Sequence, residues 1–404
     1  MTAEISRTVA VGVDLAPRQT VIAALGIGQV LAWGGSYYLI SVLAGPIVLD
    51  TGWSLSWVMA GLSLGFLVSG IVSPWVGRTI ERQGGRSVLC TGAILLAAGL
   101  LGLSLAPNIF FYILAWLVIG AGMGAALYDP AFATLGRLYG DQARRAIAAT
   151  TLYGGFSSTI CWPLSAFLVA QVGWRGTCLA YAAILLIVVL PLYRFGLPRE
   201  AGPPTTPSAT IVDATIPHRD PHRKNILFTL LAVNLTLASV IMTIVSIHLL
   251  VLLQARGLSL AVAVGLGALL GPSQVAARVL EMLFGRHQHP VWTMVLSTVI
   301  VALGLALLLG DVGLIGAGLV LYGAGGGIRS IVRGTVPLAL FGRHGYATLM
   351  GRLALPTLVA QAAAPAIGAV LLEWAGPVPT IAMLLALAIA NIIGTMALVP
   401  FTRP

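Results

Sequence analysis

Long runs of apolar residues, separated by short polar loops, dominate this sequence. A membrane-spanning helix needs about 20 mostly apolar residues, and twelve segments meet that requirement. Transmembrane strands are about 10 residues long and alternate in polarity, and no such alternation occurs here. The predicted spans 1 to 12 are residues 20–43, 54–76, 87–105, 109–136, 146–171, 175–195, 225–252, 258–284, 291–309, 313–341, 347–373 and 379–400.

The composition excludes a soluble fold. Hydrophobic residues make up 58% of the 404 residues, and charged residues only 8%. A soluble domain carries roughly 25% charged residues, so a soluble chain of this length could not cover its surface with so few charges. The sequence therefore predicts an all-α polytopic protein embedded in the lipid bilayer.

The basic residues predict which side of the membrane each loop faces. With both termini cytoplasmic, sixteen of the 22 Lys and Arg residues lie at inner loop ends, and only Arg175 and Arg256 lie outside. This asymmetry follows the positive-inside rule and predicts a multi-pass protein of the cell (inner) membrane. The net charge of +10 is thus no basic stripe for phosphates, and we expect no nucleic-acid partner.

Residues 196–224 interrupt the apolar rhythm with six prolines among polar residues. This composition cannot form a packed core and predicts a cytoplasmic linker. The linker divides the chain into an N-terminal six-helix bundle, residues 1–195, and a C-terminal six-helix bundle, residues 225–404.

The two bundles are predicted to be pseudo-symmetric. A shift of 202 residues aligns residues 138–140 with residues 340–342, and Pro163 with Pro365. Paired repeats are the architecture of transporters that rock one bundle against the other around a central site.

A charged, glycine-bearing loop joins spans 2 and 3. Residues 77–86 read Gly-Arg-Thr-Ile-Glu-Arg-Gln-Gly-Gly-Arg, which resembles the helix 2–3 loop of the major facilitator superfamily, Gly-x-x-x-Asp-Arg-x-Gly-Arg-Arg/Lys. Glu81 stands where that family has Asp, and Gly85 where it has Arg. The resemblance extends over the chain through the twelve spans, the long central loop and residues 173–175 at the outer end of span 5.

The resemblance implies a gating role for this loop. In the family, the acidic residue and its Arg neighbour engage helices of the other half and latch the outward-facing state. The residues implied here are Gly77, Glu81, Arg82 and Arg86. Glu81 is expected to cap the N-terminus of span 11, where the helix dipole favours an anion, and Arg82 to pair with an acidic residue near span 4.

Two segments are similar to the monocarboxylate and oxalate/formate branch of this superfamily. They are residues 50–54, Asp-Thr-Gly-Trp-Ser, ahead of span 2, and residues 274–278, Gln-Val-Ala-Ala-Arg, in span 8. The branch places an Arg at the position of Arg278, where it meets the substrate carboxylate.

The chain also departs from that branch. Gln274 stands where an acidic residue is common, Ser41 where monocarboxylate carriers often have a Lys, and Trp116 where many proton-coupled members have an Arg. Proton coupling and antiport therefore stay open at this point.

Six charged residues are candidates for the hydrocarbon interior, where each costs about 2.5–3.5 kcal/mol at the centre of a membrane helix. They are Asp129, Arg278, Glu281, Arg329, Arg333 and Arg352. Four cations against two carboxylates leave two positive charges to be met by another group. An anionic substrate is one candidate.

Arg278 is the first candidate for a substrate anchor, with Gln274 one turn away, because a guanidinium can hold a carboxylate through two hydrogen bonds. The alternative is a structural pair with Glu281 on the same helix face. Arg352 in span 11 is a candidate second clamp, since the oxalate-transporter branch has a cation in that span. Alternatively, its side chain reaches the inner membrane surface.

Asp129 precedes Pro130, which removes a backbone N–H and loosens span 4. Asp129 is therefore a candidate carrier of a coupling proton. The alternative is a salt bridge near the inner face, to Arg82 or Arg145.

Arg329 and Arg333 lie four residues apart in span 10 and share one helix face. Two like charges at this spacing repel each other unless something negative lies beside them. The substrate path, Asp129 and lipid headgroups are the candidates, and electrostatics at the inner gate is the favoured role.

Polar and aromatic residues recur every four positions in span 1, at Gln29, Trp33 and Tyr37. Residues at this spacing share one helix face, which could line a substrate pocket or form an interface with another helix.

Taken together, these patterns predict a secondary active transporter that moves a small solute by alternating access, with an organic anion such as a monocarboxylate favoured. We expect a functional monomer, with a proton as candidate coupling ion. Neither a metal-ligand set nor a P-loop is present, so we expect no metal, no cofactor and no enzymatic activity. The alternatives are an efflux pump for a drug-like or metalloid compound, and a non-transporting membrane sensor or assembly partner.

Overall fold

The protein is described by a computed structural model for residues 18–199, 221–285 and 288–402. Arg286 and most of the predicted linker lie outside these residues. The described residues are almost entirely helical, and the elements follow the predicted spans in order. The first six spans are Arg18–Gly34 with Leu39–Thr51; Leu55–Gln83; Gly85–Leu105; Ile109–Ala126 with Tyr128–Tyr139; Ala143–Gly155 with the start of Ser157–Ile184; and the rest of Ser157–Ile184 with Leu185–Val189 and Leu190–Gly196.

The second six spans repeat the pattern after the linker. They are Pro221–Ala255; Leu260–Gly267 with Leu270–Phe284; Pro290–Leu309; Ile315–Phe341; Tyr346–Ala375; and Pro377–Met396. Short 3₁₀ turns are Gly140–Gln142, Val312–Leu314 and Val399–Thr402. Span 7 begins at Pro221, ahead of the predicted residue 225.

Twelve spans are present in the described residues, as predicted. Eleven helical stretches are long and apolar enough to cross a membrane, and one of them, Ala143–Gly196, has 54 residues. A helix of that length would measure about 80 Å, far beyond a bilayer. Gly173 interrupts it with φ 68° and ψ 178°, so this stretch contains spans 5 and 6.

Side-chain caps begin several helices at the loops opposite the linker. The Ser54 hydroxyl accepts a hydrogen bond from the Trp57 N–H at the start of span 2. The Asn108 side chain accepts from the N–H groups of Phe110 and Phe111 at the start of span 4. Each such cap is worth about 1 kcal/mol, and together they define where the loops of this side end.

Glycines allow equivalent helix pairs to approach closely in the two halves. In spans 3 and 4, a Cβ on Gly92 would lie 2.7 Å from the carbonyl carbon of Ala125. In spans 9 and 10, a Cβ on Gly304 would lie 2.7 Å from the backbone nitrogen of Tyr322. Small residues at such contacts are how membrane helices gain packing energy.

The two halves meet along spans 2 and 11. Gly77 and Gly351 face each other there: a Cβ on Gly77 would lie 3.1 Å from the Gly351 Cα, and a Cβ on Gly351 would also collide with the carbonyl oxygen of Ser73. Higher up the same interface, a Cβ on Gly70 would lie 3.2 Å from the carbonyl oxygen of Leu355. This contact depends on small residues at both sides.

We therefore expect Gly351→Val to weaken the contact between the halves. The added side chain meets backbone atoms that cannot move aside, and overpacking of this kind costs about 1–3 kcal/mol. The apparent melting temperature of the purified protein should fall. Gly45→Ala is the matched control, because no heavy atom lies within 4 Å of a Cβ at Gly45. Equal melting temperatures for the two variants would contradict the packing argument.

Candidate functional site

A cavity of about 180 Å³ lies between the two halves. The first half contributes four aromatic side chains, from Trp33, Tyr37, Tyr38 and Tyr128. The second half contributes mostly polar and cationic side chains, and the lining residues used below are Ser239, Thr243, Ser246, Gln274, Arg278, Arg329, Ser330, Arg333 and Gln361. The cavity therefore has two chemically different walls.

Helices that border the cavity are interrupted at this depth. Span 1 breaks at residues 35–38, span 4 at Leu127, span 5 at Phe156 and span 8 at residues 268–269. Irregular backbone at membrane depth is tolerated only where it is buried in protein or lines a cavity. Discontinuous helices are also a recurring feature of transporter binding sites.

Arg278 extends from span 8 into this space. Its Nε donates to the Ser330 hydroxyl at 2.9 Å, and its Nη2 lies 3.5 Å from the Gln274 side-chain oxygen. Its Nη1 is buried and has no hydrogen-bond partner among the described residues. The guanidinium is thus positioned by neutral groups and keeps a donor unused.

Glu281 is not the partner of Arg278. The Glu281 carboxylate accepts from Arg144 at 3.0 Å, and Arg144 also donates to the carbonyl oxygens of Gly285 at 2.7 Å and Gln288 at 2.6 Å. The alternative of an ion pair within span 8 is therefore wrong, because Glu281 turns to the start of span 5 in the other half.

Asp129 and Arg333 form a two-pronged ion pair between the halves. The Arg333 Nε and Nη2 atoms lie 2.8 and 2.6 Å from the two Asp129 carboxylate oxygens. Both side chains are largely buried, with 23% and 13% exposure. Of the partners considered from the sequence, Asp129 is thus the one that meets Arg333, and the suggested bridges from Asp129 to Arg82 or Arg145 are wrong.

Arg329, one turn before Arg333, also lines the cavity. It forms no ion pair with a carboxylate in the described part of the chain. Since Asp129 neutralises Arg333, the cavity keeps two cations, Arg278 and Arg329, without a carboxylate partner.

Contacts on the side where residues 199 and 221 lie, here called the linker side, hold the halves together. The Glu81 Oε2 atom accepts from the Ala347 N–H at 3.0 Å, in the first turn of span 11. This is the capping contact expected for Glu81. Within the first half, Arg137 donates to the Glu81 carbonyl oxygen. The Arg144–Glu281 pair joins span 5 of the first half to span 8 of the second. The linker side is therefore closed between the halves.

The other three predicted gating residues lie around this contact. Gly77 sits against Gly351 as described above. Arg82 is exposed at the end of span 2, and Arg86 is half-buried in the first turn of span 3. Arg82 does not reach Asp129, and Arg137 is the cation of span 4 that contacts this loop.

On the opposite side, here called the far side, each half is tied to itself. The Asp50 carboxylate accepts from the Trp174 indole N–H at 2.9 Å and from Arg175, which joins spans 1 and 6. In the second half, Arg256 donates to the Gly310 carbonyl oxygen. Contacts between the halves therefore cluster on the linker side.

Two residues predicted to bind substrate do not line the cavity. Gln29 is fully buried and donates to the Ala126 carbonyl oxygen at 2.7 Å, while its own side-chain oxygen accepts from Trp33 at 3.2 Å. Pro130 lacks the N–H that would normally bond to the Ala126 carbonyl, so Gln29 replaces a lost helix hydrogen bond. Arg352 is exposed, with its guanidinium 4.9 Å from the Phe228 ring centroid.

Several cavity or gate residues escaped the sequence analysis. Tyr38 and Tyr128 line the cavity. Tyr128 directly precedes Asp129 and Pro130, which the sequence analysis did single out. Ser330 positions Arg278, and Gln361 reaches the cavity from span 11. In the sequence analysis, Arg144 is treated only as one of the basic residues at inner loop ends. A single sequence does not show that its partner, Glu281, lies in the other half.

Comparison with known proteins finds one matching family model and several relatives. Residues 25–289 match the family model described as Major Facilitator Superfamily. The chain is 30% identical over 163 residues to "Monocarboxylate transporter 11" of Mus musculus, covering 39% of this chain and 35% of that protein. It is 33% identical over 133 residues to "Uncharacterized 38 kDa protein in 23S RNA operon" of Thermoproteus tenax, covering 33% of this chain and 34% of that protein. The chain thus spans about a third of the length of these relatives.

Solved structures share the fold over nearly the whole chain. The human organic anion transporter MFSD10 (TETRAN) superposes with a TM-score of 0.73 at 16% identity, covering 94% of this chain and 99% of that one. The transporter FucP in its outward conformation gives a TM-score of 0.71 at 13% identity, covering 93% and 98%. At these identities the likeness concerns the fold alone.

The Asp129–Arg333 pair should contribute strongly to stability. Removing one partner of a buried ion pair leaves an uncompensated charge and costs about 3–5 kcal/mol. Asp129→Ala and Arg333→Ala should each lower the apparent melting temperature, and the double variant should lose less than the sum of the two.

The exposed pair of Asp50 and Arg175 is the matched control. Their side chains are 49% and 42% exposed, and exposed pairs contribute about 1 kcal/mol or less. The stabilising role is contradicted if the Asp129 and Arg333 variants lower the melting temperature no more than the control variants do, and if the two losses simply add in the double variant. The buried pair would then not stabilise the closed linker side.

Proposed function

Because the chain belongs to the major facilitator superfamily, a family of transporters, we propose that it is a secondary active transporter of a small organic anion, with a monocarboxylate as the favoured substrate. The observation that carries this proposal is the pair of cavity arginines, Arg278 and Arg329, that have no carboxylate partner among the described residues. A carboxylate that enters the cavity supplies the missing negative charge. The Arg278 guanidinium, with its unused Nη1 donor, can hold that carboxylate through charge-assisted hydrogen bonds.

A sequence relative supports an anionic substrate, because one of those named above is a monocarboxylate transporter. Cavity size supports a small one, because pockets for drug-sized ligands measure about 300–1,000 Å³ against about 180 Å³ here. An exported hydrophobic cation would in addition meet two unneutralised arginines. A sensor or assembly partner remains the alternative of another class, and labelled-solute counterflow in liposomes separates it from a transporter.

The proposed mechanism is alternating access between two six-helix bundles, residues 1–195 and 225–404. By the positive-inside rule, the linker side faces the cytoplasm of a cell with this protein in its inner membrane, and both termini lie inside. The closed linker side is then the latch of an outward-facing state. Substrate binds between the halves, and the release of Glu81 from span 11 and of Asp129 from Arg333 lets the cavity open inward. A functional monomer suffices for this cycle.

Substitution of Arg278 tests the substrate anchor. Arg278→Gln removes the charge, and a hydrogen bond to a charged group is worth about 1.5–3 kcal/mol, so affinity for a monocarboxylate such as lactate or pyruvate should fall about 10- to 100-fold. Arg278→Lys keeps the charge but loses the planar fork and should give an intermediate affinity, measured by isothermal titration of the purified protein.

Arg352→Gln is the control for this series, since Arg352 lies outside the cavity and should leave the affinity unchanged. An Arg278→Gln protein that binds as tightly as the unaltered protein would remove Arg278 from the site. If Arg352→Gln instead lowers the affinity for the monocarboxylate, Arg352 is a second residue that binds the substrate.

Substitution of Asp129 tests whether a proton is the coupling ion. If Asp129 takes a proton and thereby releases Arg333, Asp129→Asn imitates the protonated state permanently. We expect uptake into liposomes to lose its dependence on external pH in this variant, whereas Asp50→Asn, on the exposed far side, should keep it. A pH profile for Asp129→Asn that matches the unaltered protein would exclude Asp129 as the proton carrier.

A further inference from the structure

Aromatic rings form one continuous cluster on the first-half wall of the cavity. The Trp33 ring centroid lies 5.6 Å from that of Tyr37 and 5.2 Å from that of Tyr128. The Tyr37 and Tyr38 centroids are 5.0 Å apart at an interplanar angle of 76°. These are edge-to-face and tilted arrangements, in which aromatic pairs attract each other beyond simple burial.

The rings of this cluster differ from the aromatic side chains that pack the protein. Tyr112, Trp116, Tyr181 and Tyr193 are among the largest side chains with less than about 2% exposure, which is the mark of rings enclosed between helices. The four cavity rings are only half-buried, so protein atoms leave part of each ring uncovered. An uncovered aromatic surface in a cavity is available to a ligand.

Three of these rings lie at interruptions of their helices. Tyr37 and Tyr38 lie in the four-residue interruption of span 1, between Gly34 and Leu39. Tyr128 begins the second helix of span 4, directly after the break at Leu127. Two separate helix interruptions therefore bring phenol rings to the same cavity.

Unused polar atoms lie on the opposite wall. The Arg278 Nη1 and the Thr243 hydroxyl are buried and have no hydrogen-bond partner among the described residues, and both residues are less than 10% exposed. Buried polar groups without a partner are rare and call for an explanation. A carboxylate is an acceptor for both kinds of donor, and Arg329 supplies a second positive charge on the same wall.

We propose that the substrate is an aryl monocarboxylate that bridges the two halves. Its carboxylate binds Arg278 and Thr243 on the second-half wall, and its ring stacks among Trp33, Tyr37 and Tyr128 on the first-half wall. This inference rests on the proposed function and narrows it from monocarboxylates in general to those with a flat aromatic ring. Because the ligand joins both halves, its binding draws the walls together and favours closure of the far side.

The experiment compares three carboxylates of equal charge on the purified full-length protein: benzoate, cyclohexanecarboxylate and propionate. Benzoate and cyclohexanecarboxylate have the same number of carbon atoms, so they differ in ring planarity and π-electrons. Aromatic pairs gain beyond burial, and we expect benzoate to bind roughly 3- to 10-fold more tightly than cyclohexanecarboxylate. Propionate should bind more weakly than either, as measured by isothermal titration.

Variants of Tyr37 locate the ring. Tyr37→Leu removes the aromatic surface and should reduce the affinity for benzoate roughly 3- to 10-fold with little effect on propionate. Tyr37→Phe keeps the ring and should preserve the preference for benzoate. Phe111→Leu is the matched control, because Phe111 is exposed on the outer surface of span 4, far from the cavity lining.

The outcomes separate this inference from the proposed function. Equal or tighter binding of cyclohexanecarboxylate overturns the aryl preference, while the monocarboxylate function stands. Preference for propionate does the same. Binding of none of the three carboxylates overturns both proposals, and the comparison on the unaltered protein remains decisive even if Tyr37→Leu fails to fold.

Discussion

The ion pair between Asp129 and Arg333 is the interaction on which the rest of this arrangement depends. It joins spans 4 and 10 across the two halves through two hydrogen bonds of 2.8 and 2.6 Å. Breaking such a pair leaves a charge in a low-dielectric interior, which costs several kcal/mol. The pair therefore holds the linker side closed. It also neutralises Arg333, so that Arg278 and Arg329 are the cavity cations without a carboxylate partner among the described residues.

Span 4 carries this pair because of a defect in its own helix. Pro130 cannot supply the N–H that the Ala126 carbonyl needs, and the helix restarts at Tyr128. Gln29 from span 1 satisfies the orphaned carbonyl. Asp129 then lies in the first turn of a new helix, where the dipole favours a carboxylate. The break ahead of Pro130 thus accounts for two features: the hydrogen bond from Gln29 to the Ala126 carbonyl, and the position of Asp129 at the start of the helix from which it meets Arg333.

Some local contacts were predictable because the sequence constrains both partners. Glu81 ends span 2 and the start of span 11 offers free N–H groups, so the predicted cap is present. The candidate partners of Arg333 included Asp129. The sequence left helix rotation open: Gln29 faces span 4 instead of the cavity, and Arg352 contacts Phe228. A helix that is apolar on nearly every side shows little amphipathic pattern, so its rotation cannot be read from the sequence.

The number of spans and their order follow from the chain itself, because hydrocarbon thickness demands about 20 apolar residues for each crossing. The glycines at close helix contacts and the break ahead of Pro130 are local properties of the same kind. Only the tertiary structure shows which charged residues neutralise each other. Arg144 with Glu281, and Arg333 with Asp129, join residues more than a hundred positions apart, and a low-dielectric interior decides such pairs by distance in space, which helix packing alone provides.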